Sequence, residues 1–271
     1  MKKTVLTLLS AVTMLTAYSQ ETGDTTIVLN YGYAPIDTIT ISKLSSTYQQ
    51  LQEAETAVKG ISDEEARSHA AVDYILSHPD SEGSIWLLES VRGFTKGKKC
   101  FSVLSERVKK GAMKKVYDAY SDGFSVYKSY MDKTAAAIPI GQEAKDFTLE
   151  DINGKMLTLS SLRGKYVLLD FWASWCVPCA QMFPHVKEFY KQHRDKLEIL
   201  GVAIRDKKDK WKAAAEKHQL PWQLVLDTED ENSVKDKYCI FGLPTYVLLD
   251  PEGKVVQWTM NEFELIEECL K

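Results

Sequence analysis

The chain is organised around one short segment, Asp170-Phe171-Trp172-Ala173-Ser174-Trp175-Cys176-Val177-Pro178-Cys179. The apolar run before it, residues 165–169, is rich in β-formers and predicts a buried strand. Residues 180–193 have the pattern of a helix. Two cysteines three residues apart, where a strand passes into a helix, are typical of a dithiol/disulfide switch.

The position of the two cysteines predicts different roles for them. Cys176 falls near the helix N-terminus, where free N–H groups and the helix dipole stabilise an anion. The thiolate is such an anion, and it is the form that attacks a disulfide. We therefore expect Cys176 to be the more exposed, attacking thiol and Cys179, one turn further in, to be the resolving thiol. Pro178 fits the first helical turn, where its missing N–H is no loss.

Two other interpretations of the cysteine pair are a zinc half-site and a structural staple. Zinc usually requires a second Cys-x-x-Cys or a Cys/His pair, and the remaining cysteines, Cys100, Cys239 and Cys269, are isolated. A staple across so short a loop removes little chain entropy. The sequence therefore favours one redox pair and three single, buried thiols, with neither a metal site nor a cofactor.

The motif resembles the active site of thioredoxins and, in detail, that of the TlpA/ResA-type thiol–disulfide oxidoreductases that bacteria export. Three further matches support the resemblance: Asp170 for the buried acid, Pro184 for the proline that kinks the active-site helix, and Gly242-Leu243-Pro244-Thr245 for the cis-proline loop. Residues 140–149 are similar to the usual entry of such domains. The resemblance extends from near Ile138 to the end of the chain.

This resemblance implies a thiol–disulfide oxidoreductase that reduces disulfides through Cys176 and Cys179. The Leu243–Pro244 bond is expected to be cis, leaving neighbouring backbone groups free to pair with an extended substrate. Trp175 and Pro178 are expected at the substrate-binding rim.

A buried carboxyl at Asp170 would have a raised pKa and could exchange a proton with Cys179; the alternative is an aspartate that caps the next turn. ResA-like members carry a glutamate three residues after the second cysteine, where this chain has Met182. Proton transfer is therefore expected to depend on Asp170 alone.

The dipeptide between the cysteines indicates the direction of electron flow. Val-Pro resembles the reducing TlpA-like members more than the strong oxidants. Two alternatives are a peroxide reductase on a related fold, whose Pro-x-x-x-Thr-x-x-Cys segment is absent here, and a binding module with a vestigial dithiol. The expected partners are protein disulfide or thiol substrates and an upstream thiol reductant.

The N-terminus predicts export. Lys2 and Lys3 precede an apolar run over residues 5–17, which is too short to span a bilayer comfortably, and cleavage is expected between Ser19 and Gln20. The alternatives are an uncleaved membrane anchor and a buried helix. We therefore expect a soluble periplasmic protein with a signal peptide at residues 1–19. With 34 basic and 38 acidic side chains the formal net charge is −4, which does not favour nucleic acid or an anionic membrane as a partner.

Residues 20–137 predict a mostly helical region, a candidate for substrate selection or homodimerisation. The runs 26–29 and 38–41 suggest either a hairpin or an arm, and Ser62 with Glu65 predicts a capping box opening a helix that stops at Pro79. Two apolar faces follow helical spacing: Leu44, Tyr48, Leu51 and Val58, and then Met113, Val116, Tyr117, Tyr120, Phe124 and Tyr127. The second is predicted to be core rather than a ligand groove.

Residues 138–271 predict an α/β thioredoxin fold, in which a mixed sheet carries helices on both faces and is preceded by a β-hairpin. The hairpin is predicted by the Asn153-Gly154 turn between two β-runs. Residues 134–141 are predicted to link the two regions.

Overall fold

The computed structural model describes the backbone of residues 4–5, 14–19, 24–31, 34–227 and 233–271, and side chains from residue 39 onward except 228–232. The chain divides into two units, Met1–Lys128 and Ser129–Lys271, and the division falls inside one long helix. Most of the predicted signal segment lies outside the described residues, so the cleavage site stays a prediction.

The first unit consists of a small sheet followed by helices. Its strands, in the order β1-β2-β3-β4, are β1 (Thr4–Val5), β2 (Met14–Ser19), β3 (Asp24–Tyr31) and β4 (Ala34–Ser42). Its helices are α1 (Ser46–Val58), α2 (Glu64–Ser77), α3 (Glu82–Leu87), α4 (Phe94–Val103), α5 (Glu106–Lys109) and the start of α6 (Lys114–Ala137). Strands β3 and β4 pair antiparallel with Ile27 opposite Ile39, which selects the hairpin over the arm.

The aromatic face of α6 packs as core in the first unit, as predicted. Met113 and Val116 are fully buried, and Phe124 stacks on Phe94 and contacts Phe101 at centroid distances of 5.0 and 4.9 Å. These contacts favour a core over an open groove, because the rings pack against one another.

Three local predictions for this region were wrong. The cap of α2 is Asp63, whose carboxylate accepts the Ala66 N–H at 2.7 Å, and not Ser62; the helix begins one residue later than predicted because the carboxylate satisfies a free N–H of its first turn. Leu44 is 93% exposed because α1 begins only at Ser46. The predicted linker is helical up to Ala137, since Thr134 and Ile138 are buried.

The second unit contains a seven-stranded mixed sheet, which confirms the predicted fold class. The strand order is β11-β10-β7-β8-β9-β5-β6. The strands are β5 (Thr148–Asp151), β6 (Met156–Thr158), β7 (Tyr166–Trp172), β8 (Leu197–Ala203), β9 (Gln223–Leu226), β10 (Thr245–Leu249) and β11 (Val255–Met260). Strands β7, β8 and β9 are parallel, and the other neighbours are antiparallel. The helices are α7 (Val177–His193), α8 (Lys208–His218), α9 (Val234–Lys237) and α10 (Glu264–Glu268).

The central strands are buried on both faces, and alternation along them divides the core in two. Leu168 and Trp172 of β7 pack on one face with Phe183 of α7 and Trp211 of α8. The intervening odd-numbered positions of β7 pack on the opposite face with residues that include Ile138 and Tyr238. Because Asp170 is an even-numbered position of the same strand, it belongs to the face that carries α7.

Candidate active site

Cys176 and Cys179 are joined by a disulfide with their Cα atoms 5.3 Å apart, at the point where β7 gives way to α7. Cys176 is the N-cap of α7, and its sulfur accepts the Cys179 N–H at 3.2 Å. Val177 and Pro178 supply the first helical residues, as the sequence predicted. The N-cap sulfur therefore takes a hydrogen bond that a thiolate would take more strongly.

The exposure of the two sulfur-bearing residues follows the predicted order. Cys176 is 5% exposed and Cys179 is 1% exposed, so both are buried in the disulfide form. The flanking Trp175 and Val177 are 55% and 64% exposed. Two exposed apolar side chains therefore flank Cys176 in the chain.

Asp170 lies within β7, two residues before the strand ends, and is 1% exposed. Neither of its carboxyl oxygens has a hydrogen-bonding partner among the described residues. Burial raises the pKa of this carboxyl to about 7. A buried acid with that pKa can take up or release a proton near neutral pH, which matches the role expected from the sequence more closely than a turn cap does.

The loop before β10 lies beside the dithiol because β10 runs antiparallel to β7. Thr245 is opposite Phe171 and Tyr246 is opposite Asp170, so the preceding residues reach the end of β7 from which the dithiol follows. The Leu243–Pro244 peptide bond is cis, as expected. Leu243 packs against the core of the α7 face, and Pro244 is buried.

A carboxylate that the sequence analysis missed fixes the loop before Cys176. Asp206 accepts hydrogen bonds from the Ser174 N–H at 2.5 Å and the Ser174 hydroxyl at 2.7 Å, and from the Lys207 N–H at 2.8 Å. The position of Asp206 in the sequence could have indicated this role. Asp206 follows β8, and the carboxyl ends of adjacent parallel strands meet at one edge of the sheet.

Arg205 holds the exposed tryptophan of the same loop. Its carbonyl oxygen accepts the Trp175 indole N–H at 2.9 Å, and its guanidinium carbon lies 5.8 Å from the centre of the Trp175 ring. Arg205 has a φ of 50°, a left-handed conformation that is uncommon for a residue other than glycine. Two consecutive residues after β8 therefore position Ser174 and Trp175 immediately before the nucleophile.

The prediction of three single buried thiols was correct for one of them. Cys100 is fully buried, and burial raises its pKa to about 11. Cys239 and Cys269 are exposed. Cys239 lies just after α9 with a φ of 52°, and Cys269 follows the last turn of α10. Both cysteines lie at surface positions just beyond a short helix, which residue type alone does not reveal.

Two other residues near the dithiol have the environments expected for noncatalytic positions. Met182 packs against the core of the α7 face. His185 is 52% exposed and pairs with Glu267 at 2.9 Å.

The fold and the strand–dithiol–helix site define a thioredoxin-like oxidoreductase. Residues 140–258 match the AhpC/TSA family. The chain is 37% identical over 136 residues to the thiol–disulfide oxidoreductase ResA of Bacillus subtilis, covering 50% of this chain and 74% of that protein. It is 33% identical over 152 residues to ResA of Bacillus cereus, covering 55% of this chain and 86% of the relative. The chain belongs to the ResA-type thiol–disulfide oxidoreductases, which are enzymes acting on protein thiols.

The chain is also similar to a solved structure, the thioredoxin domain of a thiol–disulfide oxidoreductase from Bacteroides vulgatus. It is 32% identical in sequence with a TM-score of 0.46, and the match covers 49% of this chain and 99% of that one. Among the described residues, no helix combines the length and apolar character required to cross a membrane.

Proposed function

We propose that this protein reduces disulfides of exported proteins through a Cys176/Cys179 cycle. The observation that carries the proposal is the hydrogen bond from the Cys179 N–H to the Cys176 sulfur at the N-cap of α7. In the reduced protein that N–H and the helix dipole would stabilise a Cys176 thiolate. The thiolate attacks one sulfur of a substrate disulfide, forms a mixed disulfide and releases the other substrate sulfur as a thiolate.

Cys179 completes the cycle. Its thiolate attacks the Cys176 sulfur of the mixed disulfide, which restores the Cys176–Cys179 bond and releases the substrate as a dithiol. Two electrons pass from the protein dithiol to the substrate. An upstream thiol reductant must then return two electrons to the protein, because the disulfide form cannot start another cycle.

Asp170 would accept the proton that Cys179 loses when it attacks. The carboxyl lies on the sheet face that packs against α7, and its pKa of about 7 leaves it partly ionised at neutral pH. The scheme uses no second acid from α7, because this chain has Met182 at the helix position where ResA-like members carry a glutamate.

The substrate would bind along the rim formed by Trp175, Pro178, Leu243 and Pro244. This assignment is supported by the exposure of Trp175 and by the register that brings the loop before β10 to the dithiol end of β7. An extended segment of polypeptide around the substrate disulfide fits a rim of this kind.

The cellular setting belongs to the same proposal. Residues 1–19 direct export and are removed near Ser19–Gln20, residues 20–137 form the helical region, and residues 138–271 form the redox domain in the periplasm. The helical region would select substrates or form a homodimer, for which the exposed apolar side chains of Leu44 and Val126 offer contact surface.

The test is disulfide trapping with two single variants of the full chain. Cys179→Ser should accumulate mixed disulfides with partner proteins that dithiothreitol releases, because the resolving thiol is missing. Cys176→Ser should accumulate few, and Cys100→Ser, which alters a fully buried thiol of the first unit, should behave as the unmodified protein. Equal trapping by Cys176→Ser and Cys179→Ser would refute the assignment of the nucleophile. Trapping by neither would favour a vestigial dithiol.

A further inference from the structure

A strongly basic segment begins where β8 ends. Residues 205–212 contain five basic and two acidic side chains, in a chain whose formal net charge is −4. All five basic residues are exposed. They are Arg205, Lys207, Lys208, Lys210 and Lys212. The positive charge is therefore concentrated locally against the overall balance of the protein.

Contacts already described fix the start of this segment beside the dithiol. Asp206 holds the Ser174 N–H and hydroxyl, and Arg205 holds the Trp175 indole N–H at 2.9 Å. Ser174 and Trp175 are the two residues immediately before Cys176. The Arg205 backbone has an uncommon left-handed conformation, a feature that is frequent at binding and catalytic sites.

Nearby acids balance only part of this positive charge: five basic side chains face Asp206, Asp209 and Glu150. The Asp206 carboxylate keeps its charge but accepts its three hydrogen bonds from Ser174 and the Lys207 backbone, and Glu150 pairs with Lys208 at 2.5 Å. Arg205, Lys207 and Lys210 make no ion pair with any residue that the structure describes. The N-terminus of α8 adds partial positive charge at the same place, because α8 begins at Lys208 without a side-chain cap.

We propose that Arg205, Lys207 and Lys210 form a basic rim that selects substrate proteins whose disulfide is flanked by acidic side chains. The inference rests on the proposed function, since the rim matters only if Cys176 attacks a substrate disulfide. Complementary charge raises association rates and excludes partners of like charge, and it weakens as salt screens it. The substrate class is thus an acidic polypeptide segment that contains a disulfide.

The experiment uses the reduced full-length protein and two synthetic peptides. Each peptide has one intramolecular disulfide, and the two differ only in flanking Glu or Lys residues. Second-order rate constants for peptide reduction are measured at low salt and at about 0.3 M salt, where the Debye length falls to roughly 5–6 Å. We expect the Glu peptide to react about tenfold faster at low salt, and the ratio to fall to about twofold at high salt.

Arg205→Gln should lower the Glu/Lys rate ratio about threefold at low salt, and Arg205→Lys should restore most of it because the charge returns. The matched control is Lys191→Gln. Lys191 has an 80% exposed side chain on α7, 14 residues after Val177, which places it roughly 21 Å along the helix from the dithiol end. This control should keep the ratio of the unmodified protein.

Several outcomes would overturn the basic rim. The first two are equal reduction rates for the two peptides and a Glu/Lys rate ratio that does not respond to salt. The third is an Arg205→Gln variant that slows reduction of both peptides equally, which would mean that Arg205 affects the reactivity of the Cys176 sulfur and not the choice of substrate. If Arg205→Gln does not fold, the double variant Lys207→Gln/Lys210→Gln gives the same comparison without disturbing the Trp175 contact. A protein that reduces neither peptide would overturn the proposed function as well, whereas reduction without charge preference refutes the rim alone.

Discussion

Replacing Asp170 by Asn should stabilise the protein, and the gain should grow as the pH rises. The carboxyl is 1% exposed and has no hydrogen-bonding partner among the described residues. Burial raises its pKa from 3.8 to about 7, so the folded state holds a proton that the unfolded chain releases. The folded state is therefore favoured below about pH 4, and this contribution is lost as the pH rises through about 7.

The size of the effect follows from the two pKa values. One proton held only by the folded state changes the free energy of unfolding by about 1.4 kcal/mol per pH unit. From about pH 5 to the pKa near 7, the unmodified protein should therefore lose about 2–3 kcal/mol relative to Asp170→Asn. The uncharged amide is nearly isosteric with the protonated acid, so the two proteins should differ least at the acid end.

The measurement is denaturant unfolding of both oxidised proteins at pH values from about 5 to about 8. Asp195→Asn, which removes an exposed carboxylate beyond the end of α7, is the control and should follow the unmodified protein at every pH. Parallel pH profiles for Asp170→Asn and the unmodified protein would refute the reasoning. They would mean that the carboxyl is already ionised in the folded protein, or that it is hydrated.

Three further predictions concern the packing of β8, the loop before Cys176 and the predicted signal-peptide cleavage. Gly201→Ala should lower the free energy of unfolding by about 1–3 kcal/mol, because a Cβ there would lie 2.6 Å from Leu224 Cδ2 and 3.1 Å from Trp222 Nε1. Unchanged stability in denaturant unfolding would mean that the sheet is not tightly packed around Leu224 and Trp222. Asp206→Asn should slow reduction of a peptide disulfide by about three- to tenfold, because it weakens the hydrogen bonds that hold Ser174. It should also change the pH profile of Cys176 alkylation, and an unaltered profile would contradict a positioning role for Asp206. Intact-mass analysis of protein from its native host should give a chain that begins at Gln20, and a chain retaining Met1 would contradict the predicted cleavage.

Local patterns in the sequence determined much of the redox domain. The strand–dithiol–helix order and the Asn153-Gly154 hairpin depend on apolar runs and turn residues within a few positions of each other. The N-cap position of Cys176 has the same local origin, because Pro178 and the preceding strand leave one place for the helix to begin. These features could be predicted because each is decided by neighbours in the chain.

Tertiary structure decided what depends on residues far apart in sequence. Asp206 and Arg205 reach Ser174 and Trp175 across about 30 positions only because β7 and β8 lie side by side and parallel. The exposure of Cys239 likewise depends on what packs around it and not on its residue type. Asp170 combines both: the sequence predicted a buried acid, but only the packed sheet leaves its carboxyl without a hydrogen-bonding partner in the described part of the chain and raises its pKa to about 7. Burial and strand adjacency are properties of the whole fold, so no local pattern contains them.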